Sequence, residues 1–206
     1  MAAHEIIPNR SVLLQINGRI RLTRSGHKIL KMKRDGLILE FFDLLEKAKK
    51  MRFNVASDYE DALKAITIAR AVEGEVAVLS ATYALKPFPE VTVSSKSIMG
   101  TVVPRVEAQH LHQIMTERGY GVISTSAYIE DSAVAFEKLL DRIVSAAEIE
   151  TTMKIILDEI EKTKRRVNAL EFRIIPELEE AEKFIELRLE EMERENVIRL
   201  KHLKDR

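Results

Sequence analysis

LLQINGRIRLTRSGHKILKMKRDGLILEFFDLLEKAKKMRFNVASDYEDALKAITIA, residues 13–69, carries a hydrophobic ladder whose steps alternate between three and four residues. The rungs are Leu13, Ile16, Ile20, Thr23, His27, Leu30, Arg34, Leu37, Phe41, Leu44, Ala48, Met51, Val55, Asp58, Ala62, Ala65 and Ala69. Thirteen of the seventeen are apolar. A repeat of 3.5 residues keeps every rung on one slowly winding stripe of an α-helix, the pattern of a coiled-coil seam. No Pro lies between Asn9 and Lys86 to interrupt it. The ladder predicts one helix of about 60 residues, roughly 90 Å long. A single apolar stripe of that length needs a partner of similar length.

The other end of the chain offers one. Ile129, Ala133, Phe136, Leu140 and Ile143 begin a second stripe. It continues through Ala146, Ile149, Met153, Ile156, Ile160, Thr163, Val167, Leu170 and Ile174, then Leu178, Ala181, Ile185, Leu189 and Met192. Departures from strict three–four spacing read as stutters. Pro176 removes the backbone donor to Phe172, and its ring crowds that carbonyl, so a kink is expected there.

Two long helices joined by a middle segment fold back most simply as an antiparallel pair, with paired residue numbers adding to about 200. That register sets the polar rung Asp58 opposite Arg142. It also brings residues 10–34, with eight Lys/Arg and no acid, beside residues 177–195, with nine acids and three bases. Each exposed pair is worth only about 0–1 kcal/mol. Their role is to fix orientation and register. His27 and Arg34 are read as polar rungs that snorkel to the rim of a half-open seam, the alternative being that they relax the seam where a third body packs.

Between residues 72 and 127 the helical period fails. Glu75–Tyr83 and Glu90–Val106 are rich in Val, Thr and Ser, with Pro87, Pro89 and Pro104 as punctuation. Val91 and Val93 alternate with Thr92 and Ser94 at the period of a strand. One or two small β-hairpins are expected, with Gly100 marking a bulge or a close backbone approach. Ala108–Glu117 is read as a short helix, and Thr125 or Ser126 as the cap of the C-terminal helix. The fold class is therefore mainly α. Residues 1–71 and 128–206 form one antiparallel two-helix coiled coil, and residues 72–127 form a central cap containing the hairpin.

Composition narrows the function. Charged residues are 32% of the chain and aromatics 5%, which suits solvated outer faces better than a globular enzyme core. Lys plus Arg equals Asp plus Glu at 33 each, so the net charge is zero but polarised along the chain. There is no Cys, so thiol chemistry and Cys-based metal sites are excluded. No apolar run reaches the ~18 residues a membrane span needs. Met1–Pro8 lacks a signal-peptide pattern, so the chain reads as intracellular. No Gly-rich phosphate loop followed by Lys-Ser/Thr is present, and Arg118-Gly119-Tyr120-Gly121 is too short for a dinucleotide fingerprint. His110 and His112 lack a nearby third ligand and read as surface residues. No nucleophile–base constellation is found. The expectation is a non-catalytic chain with no cofactor or metal and no nucleic-acid partner.

Three segments, taken in order, resemble the D subunit of the archaeal A-type ATP synthase and eukaryotic-type V-ATPase. Gly26-His27-Lys28-Ile29-Leu30-Lys31-Met32-Lys33-Arg34-Asp35-Gly36-Leu37 is similar to that family's N-terminal helix signature. Ile98-Met99-Gly100-Thr101-Val102-Val103-Pro104 is similar to its central hairpin. Thr163-Lys164-Arg165-Arg166-Val167-Asn168-Ala169-Leu170-Glu171 with Ile174-Ile175-Pro176 is similar to its C-terminal helix signature. Gly36 departs from the bulkier polar residue expected there. The resemblance implies a central rotor shaft, in the central stalk, that couples ATP synthesis or hydrolysis to proton or sodium transport. The chain ends would enter a ring of catalytic A and non-catalytic B subunits. The small F subunit of the stalk would dock on the side, near residues 40–65 and 135–160. An adaptor, C or d, would receive the hairpin end. The chain would then be a cytoplasmic component, peripheral to the membrane. Lys28, Lys31, Arg34, Arg165 and Arg166 are the expected collar toward acidic ring loops. The alternatives are a prefoldin-like chaperone, which shares helix–hairpin–helix topology, and a coiled-coil nucleic-acid or polymerase accessory factor.

Overall fold

The computed structural model describes residues 7–85, 90–109, 118–120 and 125–204. Helix α1 runs from Arg10 to Glu73, 64 residues without a break. Asn9 starts it, its side-chain Oδ1 accepting from the Ser11 N–H at 3.3 Å and its carbonyl from the Leu13 N–H at 3.0 Å. All seventeen rungs of the ladder are buried or half-buried, including the four polar ones.

Gly74, at φ 83, ends α1 in a conformation that L side chains rarely adopt, and α2 (Glu75–Ala84) follows at once. This corrects the expectation of strand at Glu75–Tyr83. Glu75, Ala77, Leu79, Ala81 and Ala84 are good helix formers. Val78, buried, packs in a cluster with Ala69 and Ile129, so tertiary contact overrides the local Val/Thr/Ser bias.

Strands β1 (Glu90–Ile98) and β2 (Thr101–Gln109) form one antiparallel hairpin, paired from Glu90 with Gln109 to Ile98 with Thr101. Met99 and Gly100 make the two-residue turn, both at positive φ (51 and 76), as a primed turn between twisted strands requires. Gly100 therefore serves the turn, not a bulge. Thr101 and Val103 are buried, and the Val106 N–H donates to Glu148 Oε2 at 3.1 Å. Of the short helix expected at Ala108–Glu117, Ala108 and Gln109 belong to β2. The rest lies outside the described residues, as do His110 and His112.

Helix α3 spans Ala127–Ala169. Ser126 caps it, its Oγ accepting from the Tyr128 N–H at 3.2 Å. A π-helical turn, Leu170–Ile174, joins α3 to α4 (Ile175–Lys204). The Ile175 N–H reaches back to the Leu170 carbonyl, so the wider turn falls immediately before Pro176, where the α-helical bond to Phe172 is missing. Helical backbone continues through the proline.

The second stripe needs correction at four positions. Leu140 and Ile143 are exposed, whereas Leu139 is buried at 4%. The buried line runs through Ser132, Leu139 and Thr152. Ser132 tolerates burial because its hydroxyl donates to the Ile129 carbonyl at 2.7 Å. Tracing only apolar residues skips these polar positions and rotates the stripe. Farther along, Ile174 in the π turn and Met192 are also exposed.

The molecule divides into two compact units. In residues 1–37 with 159–206, Ile16, Ile20, Ala181 and Ile185 form a buried cluster, with Val12, Leu13, Leu178, Phe184 and Leu189 against it. Arg10 pairs with Glu193, and Arg24 with Glu179, at 2.5 and 2.7 Å. In residues 38–158, Asp58 pairs with Lys138 at 2.7 Å and with Arg142 at 3.4 Å. The contact of Asp58 with Arg142 is the one its place in the ladder predicts. Lys33, on its long stem, reaches Glu159 at 2.9 Å outside that register.

Candidate functional site

The five cations singled out in the sequence all fall in the unit that holds the chain ends, and they are not equivalent. Lys28, Lys31 and Arg166 are exposed and make no ion pair among the described residues. Arg34 is half-buried and bonded to Asp35 through Nε at 3.0 Å and Nη2 at 2.8 Å. Arg165 is exposed but paired with Glu161 one turn away. Lys28 and Lys31 therefore offer free positive charge to a partner, Arg166 does so while also helping to hold Glu159 ionised, and the other two are already partly neutralised.

Sequence reading passes over the apolar side chains around these cations. Ile29 and Met32 lie beside Lys28 and Lys31 on α1 and are exposed, as is Leu22. Phe172, on the π turn, is 74% exposed between Glu171 and Arg173. An outer surface made only of long charged side chains is thus not what the structure presents. The signal is available at 28–34, Lys-Ile-Leu-Lys-Met-Lys-Arg, where of the apolar residues only Leu30 belongs to the seam and Ile29 and Met32 are left over.

Local electrostatics hold this region together. The Lys33 ammonium hydrogen-bonds Glu159 and keeps its carboxyl below the ordinary carboxylate range; partial burial works the other way and loses. His27, half-buried in the seam, stands 3.4 Å from Glu171 Oε2.

A second polar cluster sits in the other unit. Arg118 is 2% exposed. Its Nη1 lies 2.5 Å from Glu130 Oε1 and its Nη2 2.9 Å from Glu137 Oε1. The Tyr120 hydroxyl accepts from Arg118 at 3.3 Å and donates to Glu130 at 2.8 Å. Burial is the largest single influence on Arg118 and disfavours its charge. Tyr120, Glu137 and Glu130 together outweigh it, so the guanidinium holds its proton more firmly than usual. Burial, chiefly, pushes the Tyr120 phenol up. Tyr120 also walls an apolar cavity of about 270 Å³ lined by Ile66, Val78, Leu85, Ile129 and Phe136 among others.

Among the described residues, no group of three His, Asp or Glu is placed to hold a metal ion, and no helix is long and apolar enough to cross a membrane. The perturbed groups are held in ion pairs and hydrogen bonds. What the surface can do is make non-covalent contacts, apolar and cationic side by side.

Comparison with known proteins places the chain. The family model described as the D subunit of ATP synthase matches residues 12–205. The A-type ATP synthase D subunit of Methanococcoides burtonii is 53% identical over 204 residues, 99% of each chain. That of Methanosarcina acetivorans is 52% identical over 206 residues, all of this chain and 99% of the relative. That of Haloarcula marismortui is 51% identical over 202 residues, 98% of this chain and 88% of the relative. Full-length likeness at this level shows the family: the chain belongs to the D-subunit family of ATP synthases.

Proposed function

We propose that the chain is the central rotor shaft of an A-type ATP synthase, a non-catalytic subunit that couples the nucleotide sites of a ring to ion movement at the membrane. The observation that carries this, beside family membership, is continuous seam packing in both units, pinned by cross-helix ion pairs from Arg10–Glu193 to Asp58–Arg142. A shaft must carry torque without its helices sliding. A buried stripe resists separation, and charge pairs resist slippage. Nothing in the comparisons favours a prefoldin-like chaperone or a nucleic-acid factor.

Coupling follows from symmetry. One asymmetric chain inside a threefold ring of A and B subunits meets each catalytic interface differently. Each interface is then stabilised in a different conformation, and turning the shaft exchanges their states. Nucleotide binding and release drive the shaft by the same differential contacts. The collar of Lys28, Lys31 and Arg166, with Arg34 and Arg165 beside them, is proposed to face acidic ring loops. Ile29, Met32 and Phe172 supply apolar contact at the same level. On residues 40–65 and 135–160, exposed Phe53, Leu140 and Ile143 suit the small F subunit. The hairpin, with Ile98, Met99 and Gly100 at its end, is assigned to the side facing adaptor C and the membrane rotor. The chain itself stays peripheral to the membrane.

The test is the triple reversal K28E/K31E/R166E in the assembled complex. None of the three makes a close ion pair among the described residues, and only Arg166 acts at longer range, on Glu159, so the free chain should keep its fold, as circular dichroism of the isolated variant checks. Coupling between ATP hydrolysis and ion transport should fall. Unchanged coupling removes the collar from the proposal.

A further inference from the structure

Arg118 is the most deeply buried charge described in this chain, and neither the collar nor the seam uses it. It belongs to residues 118–120, which lie between the hairpin and α3, and both carboxylates it grips project from α3. Glu130 is in the first turn of that helix. Glu137 stands about three turns past Ala127, roughly 15 Å along the axis. The guanidinium fork holds both carboxylates at once, and the Tyr120 hydroxyl closes the triangle with Glu130.

We infer that Arg118 is a positioning residue for torque transfer, a clasp that carries load from residues 118–120 into α3 beyond its frayable first turns. A covalent connection alone would deliver that load at Ala127, at the very end of the helix, where the first amides rest on the Ser126 cap. The clasp adds a second attachment at Glu137, where α3 is fully hydrogen-bonded. It also keeps Tyr120 on the wall of the apolar cavity, since the ring cannot leave without giving up its hydrogen bonds to Arg118 and Glu130. A lysine would not substitute, since a point charge cannot fork to two carboxylates in fixed geometry. The functional half of this inference rests on the shaft reading; the structural half does not.

The variants are R118M, R118K and R118M/E137Q. Backbone amide exchange is measured at residues 127–137 of the full chain, and ions moved per ATP are measured in the assembled complex. R118M takes the guanidinium away from two half-buried carboxylates, a costly change. Exchange should accelerate about a hundredfold, and transport per ATP should fall while hydrolysis persists. R118M/E137Q removes one of the two carboxylate charges that faced the guanidinium and should recover part of the protection, a rescue that simple loss of packing would not show. R118K should fall between wild type and R118M, and it decides the matter if R118M does not fold. Wild-type exchange in R118K or R118M overturns the clasp. Faster exchange with unchanged transport per ATP overturns its role in torque transfer. Failure of the wild-type chain to assemble with an ATPase would instead overturn the shaft reading.

Discussion

Replacing Asp58 tests what a charged rung does in an apolar ladder. Its side chain is 10% exposed and contacts Lys138 and Arg142, which are themselves 60% and 39% exposed. D58N removes the ion pairs but leaves both cations able to reach water, so the cost is that of two partly solvated pairs, about 1–2 kcal/mol. D58L loses the same pairs but places an apolar side chain on a buried rung, worth about 1.5–3 kcal/mol when fully buried. Misfit against the existing seam returns part of that, about 1 kcal/mol or more. The two effects nearly cancel. D58L should match wild-type stability within about 1 kcal/mol and exceed D58N by a similar amount. Denaturant unfolding followed by far-ultraviolet circular dichroism, compared at equal m, gives both differences. A D58L chain less stable than D58N would refute the reasoning, because Asp58 would then be needed for stability. Equal or greater stability leaves register as the reason for a charge there.

Three further outcomes are expected. Ile185→Ala, at a fully buried site in the cluster with Ile16, Ile20 and Ala181, should cost about 3 kcal/mol, read as a lowered unfolding midpoint. Gly18→Ala and Gly26→Ala should each stabilise α1 by up to about 1 kcal/mol in thermal unfolding, since nothing lies within 4 Å of the added Cβ and both positions are helical. Glu159, held below the ordinary carboxylate range by Lys33, contributes stability that is complete above the unfolded-state pKa and is lost as pH falls through the lower folded value. K33M should therefore flatten the acid limb of the stability–pH curve and leave the neutral region less stable.

Helix α1 is legible from sequence because one rule governs it. A 3.5-residue repeat constrains every rung, polar or not, and all seventeen lie on the packed face. Asp58 can be matched to Arg142 for the same reason. The second helix reads less well where polar residues take buried places. Ser132 satisfies itself on its own backbone, and nothing in its identity announces that. Pro176 signals a missing hydrogen bond but not the remedy, and the π turn is a backbone solution that side-chain pattern does not encode. At Glu75–Ala84, packing of Val78 on Ala69 and Ile129 decides between helix and strand, and the contact with Ile129 is long-range. Of the candidate site, the cations are visible as residue types. Which are already neutralised depends on neighbours at one and four positions, and on rotamers. The Arg118 cluster has no motif, since its partners become neighbours only once α3 is in place.

The most direct test of the shaft reading is to watch the chain turn. It contains no Cys, so Met99→Cys at the exposed hairpin turn gives one labelling position within it. With the catalytic ring fixed to a surface and a bead on that position, adding ATP should drive unidirectional rotation that pauses at three positions per turn. Sustained ATP hydrolysis by the same surface-held complexes with a stationary bead would contradict the account.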